Sequence, residues 1–342
     1  MSRAAEGFQA ARIEADDPAL PGLAGAIAQP GARVLVYRPG RRVVLVVPAA
    51  HGPEYIKVVR PKRLPGIVAR ARRVERLRLA AVPRVLAVDE SAGTIRLSSA
   101  GGRSLHDAGA DPTTPPALLE RAWRAAGHAV AELHELDPDG LPLHGPDEEL
   151  AAIDRALDAA GETLDRRAVA DARARVSEAL RSGSSPTGVL HRDLHDKQLL
   201  LAEPGSGQTR IGLIDVDTLA VGERALDIAN LLAHLDLRRR QGLLAPARAA
   251  RAADAFRETA CRRRDSGQGT RSRRGDAVSR VEDRVRVHLD AARLRLAGVY
   301  AGRAGSEMLA RGLLADVLDD RGADPLWTSA GDPRDTPRTI AR

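Results

Sequence analysis

The sequence predicts a two-lobed α+β protein, in which a small lobe built on an antiparallel sheet precedes a larger and mainly helical lobe. The chain has 342 residues, which is more than one compact core usually holds. Short β-branched runs separated by turn residues dominate the chain up to residue 102. After residue 102 the apolar residues recur mostly at helical spacing. Length and patterning together therefore favour two lobes over one.

The small lobe is predicted over residues 1–102, of which 1–30 form a poorly defined extension. Two β-branched runs, RVLVYR and RVVLVV, flank a Pro-Gly turn and indicate a hairpin. A third strand is predicted over 55–59, and a helix with apolar residues at near-helical spacing over 64–81. The runs VLAVDE and TIRLSSA indicate a second hairpin. We therefore expect five antiparallel strands and one helix.

The larger lobe is predicted over residues 103–327. A compact β-like block at 189–221 interrupts its helices. The segment 261–276 is charged and small and lacks apolar anchors, so we expect a mobile loop there, and 328–342 are expected to be a disordered tail. The predicted helical regions are 117–136, 147–182 and the chain from 225 onward.

Composition restricts the setting in which the protein works. Apolar residues make up 43% of the chain but aromatic residues only 2%, so the core is expected to be aliphatic. The single cysteine, Cys261, excludes an internal disulfide. No apolar run approaches the roughly 20 residues that span a membrane, and the N-terminus lacks a signal-peptide pattern. We expect a soluble, cytoplasmic protein without a membrane partner.

The formal net charge of +7 invites a nucleic-acid interpretation. The arginines, however, are spread from end to end of the chain, and aromatic residues on which bases could stack are scarce. We therefore predict no nucleic-acid partner and expect the charge to reflect a general use of arginine.

The strongest chemical signal lies between residues 188 and 232. Two short apolar strands, QLLLA and RIGLIDV, flank a Pro-Gly-Ser-Gly turn, and such a hairpin brings Asp193, Gln198 and Asp215 towards one edge. Carboxylate and amide oxygens suit magnesium bound to a polyphosphate. A solvated turn and a helix cap would explain each short motif separately, but their combination favours phosphoryl transfer, which needs an acid for the attacking hydroxyl and oxygen ligands for a metal.

This block resembles the aminoglycoside phosphotransferase and choline kinase superfamily. The catalytic loop of that family reads H-x-D-x-x-x-x-N, and its metal-binding strand carries Ile-Asp, followed by a glycine and a further aspartate. The resemblance implies a protein-kinase-like fold and covers roughly residues 33–235. The matching positions are His191, Asp193, Gln198, Asp215, Gly222 and Asp227.

The resemblance also implies roles for these residues. Asp193 would be the catalytic base or the acid that positions the hydroxyl, Gln198 and Asp215 would hold magnesium, and Asp227 would brace the catalytic loop. The chain departs from the family at two positions. Gln198 replaces asparagine and carries its amide one methylene farther out, and Arg192 stands where family members usually have glycine.

The small lobe is expected to supply the nucleotide site. Lys57 lies in the strand YIKVV among apolar neighbours, where an ammonium group is costly without a partner. Glu75 is the only acid between Lys57 and Asp89, and it lies on the predicted helix. In kinase-like proteins a glutamate of this helix holds the strand lysine towards the phosphates, so we predict a Lys57–Glu75 pair. The stretch Leu97 to Gly102 would be the hinge that meets the base.

The predicted function is transfer of the γ-phosphate from ATP, with Mg²⁺, to a hydroxyl of a small molecule. The acceptor classes left open are an aminoglycoside-like antibiotic, a sugar and an amino alcohol, and GTP is not excluded. The acidic run Asp147 to Glu149 is a candidate receptor for a cationic acceptor, and Asp217 a candidate second metal contact.

Two alternatives remain open at this point. A protein Ser/Thr kinase-like enzyme is suggested by the run HRDL, but the glycine-rich loop and the Ala-Pro-Glu signature are missing, and Val216-Asp217 replaces Phe-Gly. A non-catalytic nucleotide-binding relative is suggested by Gln198. Phosphorylation of any acceptor would separate that relative from an enzyme.

Overall fold

The structure is a computed structural model. It describes residues 17–202, 209–261 and 271–319, with the exception of the side chains of 271–280. The predicted tail, 328–342, lies outside the described residues, as does the Pro-Gly-Ser-Gly turn. None of the described helices is long and apolar enough to cross a membrane.

Contacts between residues divide the chain into two compact units. The sheet unit consists of Met1–Arg103 and Gln198–Leu219, and the helical unit of Ser104–Lys197 and Ala220–Arg342. The predicted α+β class is confirmed, with an antiparallel sheet in the N-terminal part and helices in the C-terminal part.

The sheet unit contains the predicted five-stranded antiparallel sheet, in the order β1-β2-β3-β6-β5. β3 is its central strand, and the backbone of Lys57 pairs with Val44 on one side and with Ile95 on the other. The short helix α1 precedes the sheet, and a single 3₁₀ turn, Pro61–Arg63, leads into the longer helix α2. The bounds are α1 Leu23–Ile27, β1 Arg33–Arg38, β2 Arg42–Val47, β3 Glu54–Val59, α2 Leu64–Val74, β5 Val85–Asp89 and β6 Thr94–Ser98.

The strands form because their β-branched residues alternate between a buried and a more exposed face. On β2, Val43 and Leu45 are completely buried, whereas the residues between and beside them are partly exposed. α2 buries an apolar face that includes Leu64, Ile67 and Val74, and Leu64 and Ile67 join a core cluster with residues of β3 and β6. Complete burial of each such side chain contributes about 1.5–3 kcal/mol.

The predicted helix over 64–81 is too long, because α2 ends at Val74. Ala80–Ala81 instead form β4, which pairs in parallel with β10, Ile211–Leu213. β10 in turn pairs antiparallel with β9, Leu199–Leu201, and β7, Arg103–Ser104, completes this second sheet. A partner 131 residues away in the chain thus overrides the local helical spacing, as tertiary context often does.

The helical unit is built around α7, most of whose residues are buried. α4 packs against α8, where the rings of Trp123 and Phe256 meet edge to face at 6.5 Å. Gly127 permits this approach, because a Cβ there would lie 2.0 Å from Thr259 Oγ1. The bounds are α3 Leu105–Ala110, α4 Pro116–His134, α5 Pro146–Asp158, α6 Arg166–Arg181, β8 Thr187–Leu190, β11 Ala220–Glu223, α7 Ala225–Arg240, α8 Pro246–Ala260, α9 Arg271–Ala301 and α10 Glu307–Leu318.

Two predicted boundaries differ from the structure. The predicted 103–327 lobe includes the hairpin of β9 and β10, but Gln198–Leu219 belong to the sheet unit because β10 pairs with β4. Of the predicted loop 261–276, residues 262–270 lie outside the described part, whereas those from Arg271 onward form the start of α9.

Candidate active site

The predicted catalytic acid lies in a loop of the helical unit that follows β8. β8 pairs antiparallel with β11, from Leu190 opposite Ala220 to Thr187 opposite Glu223. Asp193 is exposed to solvent, whereas His191 and Leu194 on either side of it are completely buried. The flanking residues therefore anchor the loop and leave the carboxylate of the acid accessible.

Asp227, near the start of α7, holds the backbone of this loop. Its carboxylate accepts hydrogen bonds from the backbone N–H groups of His191, at 2.7 Å, and Arg192, at 2.8 Å. His134 of α4 contacts the same carboxylate through Nε2 at 3.1 Å. This is the bracing contact that the family resemblance implies for Asp227.

Asp227 is completely buried, yet its surroundings favour the ionised form of its carboxyl group. Burial opposes its ionisation, but hydrogen bonds from His134 and from the His191 backbone outweigh burial, so the pKa of Asp227 lies below its ordinary value. A buried carboxylate whose oxygens already serve three donors is a structural group. These hydrogen bonds hold the loop that carries Asp193, and they leave the Asp227 carboxylate no capacity to bind a substrate.

The two backbone hydrogen bonds that Asp227 accepts, the Asp227 clamp, hold a backbone conformation that is otherwise unfavourable. Arg192 has φ 70°, and Asp215 in the sheet unit has φ 61°; among the described residues no other non-glycine residue has a positive φ. The left-handed conformation costs about 1–2 kcal/mol for a residue with a Cβ, and less for aspartate than for arginine. Strain of this kind tends to persist at functional sites. Both strained residues belong to the two motifs that the sequence singles out.

Further along, α7 contacts the loop again. Asn230 donates from Nδ2 to the carbonyl oxygen of Leu194 at 3.2 Å. The rings of His234 and His195 lie 5.0 Å apart between centroids. Burial lowers the pKa of both histidines below the ordinary value, so the surroundings favour the uncharged form of both rings.

One turn later, Arg238 pairs with Asp196 at 3.1 Å from Nε and 3.4 Å from Nη2. Asp196 also accepts from His106 Nδ1 at 2.7 Å. Burial opposes ionisation of Asp196, but these donors and the charge of Arg238 hold its pKa well below the ordinary range. Successive turns of α7 thus hold successive residues of the loop. The four α7 residues are Asp227, Asn230, His234 and Arg238.

In the sheet unit, Lys57 is the centre of a cluster of charges. Its side chain is 8% exposed, and its Nζ lies 2.6 Å from Asp217 Oδ2 and 3.3 Å from Asp215 Oδ1. Arg42 Nη1 lies 3.9 Å from the same Asp215 oxygen. The buried ammonium predicted from the sequence therefore has two carboxylate partners.

Glu75 is not one of those partners, so the predicted Lys57–Glu75 pair is wrong. The eleven residues of α2 include no acid, and Glu75 follows the last of them as the cap residue. There its carboxylate accepts the backbone N–H of Val85 at 2.8 Å. A role of Glu75 in nucleotide binding stays a prediction, but one that the lysine contact no longer supports.

Gln198 and Asp215 lie at the same end of the β9–β10 hairpin. Leu199 pairs with Leu213, and the next step of the register is a hydrogen bond from Ile214 N to the Gln198 carbonyl oxygen at 3.1 Å. An amide and a carboxylate at one hairpin end are hard oxygen donors that fit a divalent cation. Within the described residues no three His, Cys, Asp or Glu side chains group around a metal position. This arrangement suits a cation that also takes phosphate and water oxygens.

The predicted hinge contains two glycines with positive φ, Gly101 at 70° and Gly102 at 86°. A Cβ on Gly102 would lie 2.2 Å from the carbonyl oxygen of Leu201 in β9. Glycine at this position is therefore required by the close approach of two backbones. The contact of this segment with a base stays a prediction.

The comparison with known families identifies the chain. The model of the phosphotransferase enzyme family (APH) matches residues 40–269. The chain belongs to this family. The predicted class of enzyme, a phosphotransferase with an alcohol group as acceptor, agrees with that membership, which also implies the use of a nucleotide and a divalent metal ion. No curated protein matches this phosphotransferase in sequence.

Solved structures share the fold. A choline/ethanolamine kinase family protein from Mesorhizobium loti is 18% identical, with a TM-score of 0.53, 89% of this chain and 92% of that chain covered. A thermostable mutant of the aminoglycoside phosphotransferase APH(4)-Ia is 14% identical, with a TM-score of 0.58, covering 84% and 93%. The amicoumacin kinase hAmiN, in complex with AMP-PNP, Ca²⁺ and Ami, is 14% identical, with a TM-score of 0.56, covering 84% and 88%. Identities this low show the fold alone.

In this phosphotransferase the acidic run that suggested a cationic acceptor is engaged internally. Asp147 pairs with Arg181 at 2.6 Å, and Glu148 accepts a backbone N–H at the start of α5 at 2.9 Å. Glu149 is buried against His144 at 2.8 Å. Burial opposes its ionisation, but the hydrogen bond from His144 and nearby positive charge lower the pKa of Glu149 to about 2. The run therefore gives no support for a cationic acceptor.

Sequence reasoning missed two sets of residues in this phosphotransferase. Asp217 was considered for a metal but pairs with Lys57, because β10 ends at Leu213 and a 3₁₀ turn follows from Val216. The α7 contacts beyond that of Asp227 were missed. Polar residues at helical spacing from Asp227 along α7 were the available signal: Asn230, His234 and Arg238.

Proposed function

We propose that this phosphotransferase moves the γ-phosphate of ATP to a hydroxyl of a small molecule, with Mg²⁺ as the metal. The observation that carries the proposal is the exposed carboxylate of Asp193 in a loop whose backbone is fixed by a buried acid. Phosphoryl transfer depends on positioning and electrostatics more than on covalent chemistry, so a held loop with an accessible acid suits it.

On the acceptor side, Asp193 orients the hydroxyl and takes its proton. General bases of this kind contribute about 10²–10⁴-fold to the rate. The contribution depends on a fixed geometry, and the Asp227 and α7 contacts supply that geometry, since the loop is held both before and after Asp193. His191, buried in the same loop, acts as a bracing residue.

On the nucleotide side, Lys57 binds phosphate oxygens, and Asp215 with Gln198 would hold Mg²⁺. The metal supplies neutralisation of the charge on the transferring phosphoryl group. Asp217 keeps the Lys57 ammonium positioned on β3 while Asp215 serves the metal, because Lys57 has both carboxylates within 3.3 Å. Support for the cofactors comes from family membership and from the AMP-PNP and Ca²⁺ named for the amicoumacin kinase.

The test is label transfer from [γ-³²P]ATP to a panel of small alcohols, sugars, amino alcohols and antibiotics. The wild-type protein should label at least one acceptor in a Mg²⁺-dependent manner, and unlabelled ATP should compete better than GTP. Asp193→Asn should lower turnover by about 10²–10⁴-fold and leave nucleotide affinity intact, because the amide keeps the shape but cannot accept the proton. Asp171→Asn, on the exposed face of α6, is the matched control and should behave as wild type.

Three outcomes would contradict the proposal. Nucleotide binding without transfer to any acceptor or protein would indicate the non-catalytic relative. Label found only in added protein would indicate the protein kinase-like enzyme. If Asp193→Asn retained more than about a tenth of the wild-type turnover, Asp193 would not be the base.

A further inference from the structure

The contacts that brace the catalytic loop do not explain why residue 192 carries the side chain of an arginine. Its backbone N–H serves Asp227, and that contact needs no side chain. At φ 70° glycine would adopt the same backbone without strain. The chain nevertheless carries an arginine there, directly before the catalytic acid. A strained residue that keeps a large charged side chain at a reaction site points to a use for that side chain.

The donors of this guanidinium are unused. Its Nε is buried without a hydrogen-bond partner, and within the described part of the chain no hydrogen bond leaves the guanidinium. Buried polar groups of proteins are nearly always hydrogen-bonded, so an exception at a reaction site indicates a ligand. Arginine presents a planar fork of donors that matches phosphate or carboxylate oxygens.

A second guanidinium, that of Arg295 on α9, lies in the same neighbourhood. Arg295 donates from Nη2 to Asn230 Oδ1, and Asn230 donates to the Leu194 carbonyl oxygen, so Arg295 is attached to the catalytic loop. Its Nε is also buried without a hydrogen bond and lies 3.7 Å from Glu149 Oε1. Burial, together with the positive charge of Arg295, lowers the pKa of Arg192, and nearby carboxylates oppose this shift only in part. The guanidinium groups of Arg192 and Arg295 therefore lie close enough to repel each other electrostatically.

The nearby carboxylates balance these charges without using the donors of Arg192. Glu149, Asp193 and Asp227 all act on Arg192 electrostatically. Glu149 is hydrogen-bonded to His144, and Asp227 to His134 and the loop backbone. These negative charges offset the repulsion between the two guanidinium groups, while the donors of Arg192 have no hydrogen-bond partner in the described part of the chain.

We propose that Arg192 and Arg295 form an oxyanion receptor beside Asp193, which binds phosphate or carboxylate oxygens. The inference rests on the proposed function for the origin of those oxygens. They belong either to the phosphoryl group in transfer or to an acidic group on the acceptor. In the second case the acceptor is a hydroxylated anion, such as a hydroxy acid or a sugar phosphate, and not a polycation.

The binding test uses orthophosphate and needs no turnover. Thermal midpoints are measured against phosphate, at constant ionic strength, in a Lys57→Ala background that removes the predicted phosphate ligand of the sheet unit. Phosphate should raise the midpoint, and Arg192→Gly should weaken this apparent affinity about 10- to 100-fold, as expected for charge-assisted hydrogen bonds. Arg192→Lys keeps the charge but not the fork and should weaken it nearly as much.

Exposed Arg155→Ala on α5 is the control and should leave the phosphate response unchanged. The glycine variant is expected to fold, because glycine suits the left-handed backbone. The proposal is overturned if phosphate raises the thermal midpoint equally with and without the Arg192 side chain. It is also overturned if phosphate raises the midpoint of neither protein. Loss of enzymatic transfer alone would contradict the proposed function and leave this binding result standing.

Kinetics separate the two origins of the oxyanion. If the phosphoryl group is bound, Arg192→Gly lowers kcat for the acceptor and slows ATP hydrolysis by water about equally, with the acceptor KM unchanged. If an acidic group of the acceptor is bound, the variant raises the acceptor KM and leaves ATP hydrolysis as in wild type. Unchanged kcat, KM and hydrolysis would overturn the proposal.

Discussion

The two strained backbone positions, Arg192 in the helical unit and Asp215 in the sheet unit, are held in different ways. Two backbone hydrogen bonds to the completely buried Asp227 hold the first. Ion pairs hold the second, through Lys57 at 3.3 Å and Arg42 at 3.9 Å, and the Asp215 side chain is 32% exposed. One position is fixed by groups with no other use, whereas the other is fixed by groups that a ligand can also engage.

This difference follows the chemistry required on each side. An acid that orients a hydroxyl works best in a geometry that does not change, and buried backbone hydrogen bonds supply one. A nucleotide and its metal bring large charges of both signs. Lysine and aspartate partners that neutralise each other can exchange partners with those charges, so binding need not leave a charge unpaired.

Asp227→Asn should damage both the fold and the reaction. The amide keeps the size of the side chain, but it removes a buried charge from three donors and turns one acceptor into a donor. We expect a loss of about 3–5 kcal/mol in the free energy of unfolding, measured by urea denaturation. Turnover per folded molecule should also fall, because the Arg192 backbone loses its clamp.

Asp236→Asn is the matched control for that variant. Asp236 is also completely buried on α7, but it pairs with Arg239 and Arg240 and not with the catalytic loop. It should destabilise the protein while folded molecules keep wild-type turnover. Equal turnover losses in the two variants would show that Asp227 acts only through stability.

Asp215→Ala should abolish transfer at physiological magnesium, because it removes a charged ligand of the predicted metal. Gln198→Ala should raise the magnesium needed for half-maximal rate, and Gln198→Asn should do so less. The shorter amide of asparagine falls out of reach if the hairpin has adjusted to glutamine, and Mg²⁺ tolerates ligands far from about 2.1 Å poorly. Rates measured against magnesium for the three variants test the order. A wild-type titration for Gln198→Ala would exclude Gln198 as a ligand.

Lys57→Ala should weaken nucleotide binding by about 10- to 100-fold, the size of a charge-assisted contact. The substitution should also remove the Lys57 ammonium that Asp215 and Asp217 share. Because no lysine then competes for these carboxylates, Mg²⁺ alone should bind at least as well as it does to wild type. Lys62→Ala, an exposed lysine of the same unit, is the control. Calorimetric titration with ATP and with Mg²⁺ checks both effects, and an unchanged ATP affinity would contradict the role of Lys57.

The sequence was sufficient where the signal is local. The β1–β2 and β5–β6 hairpins, β3 and α4 follow from β-branched runs, turns and helical spacing, and the HRD and ID motifs indicated where to look for the site. The failures involve distant partners. Nothing near residue 80 shows that Ala80 pairs with Ile211, and nothing near Lys57 shows that Asp217 replaces Glu75 as its partner. Spacing along the chain also cannot show that Glu149 is buried against His144.

The smallest expected effect isolates the backbone strain at the two positions. Arg192→Gly should be more stable than Arg192→Ala by about 1 kcal/mol, since both lack the guanidinium and only glycine adopts φ 70° freely. Relative to wild type the glycine variant should gain stability, because the clamp of Asp227 acts on the backbone and survives. Asp215→Gly should instead lose stability, because aspartate tolerates φ 61° at little cost and its carboxylate pairs with Lys57. Urea unfolding of the four proteins measures these differences. If both glycine variants had a higher free energy of unfolding than wild type, the backbone at Asp215 would be strained as it is at Arg192. The contrast between the two units would then be wrong.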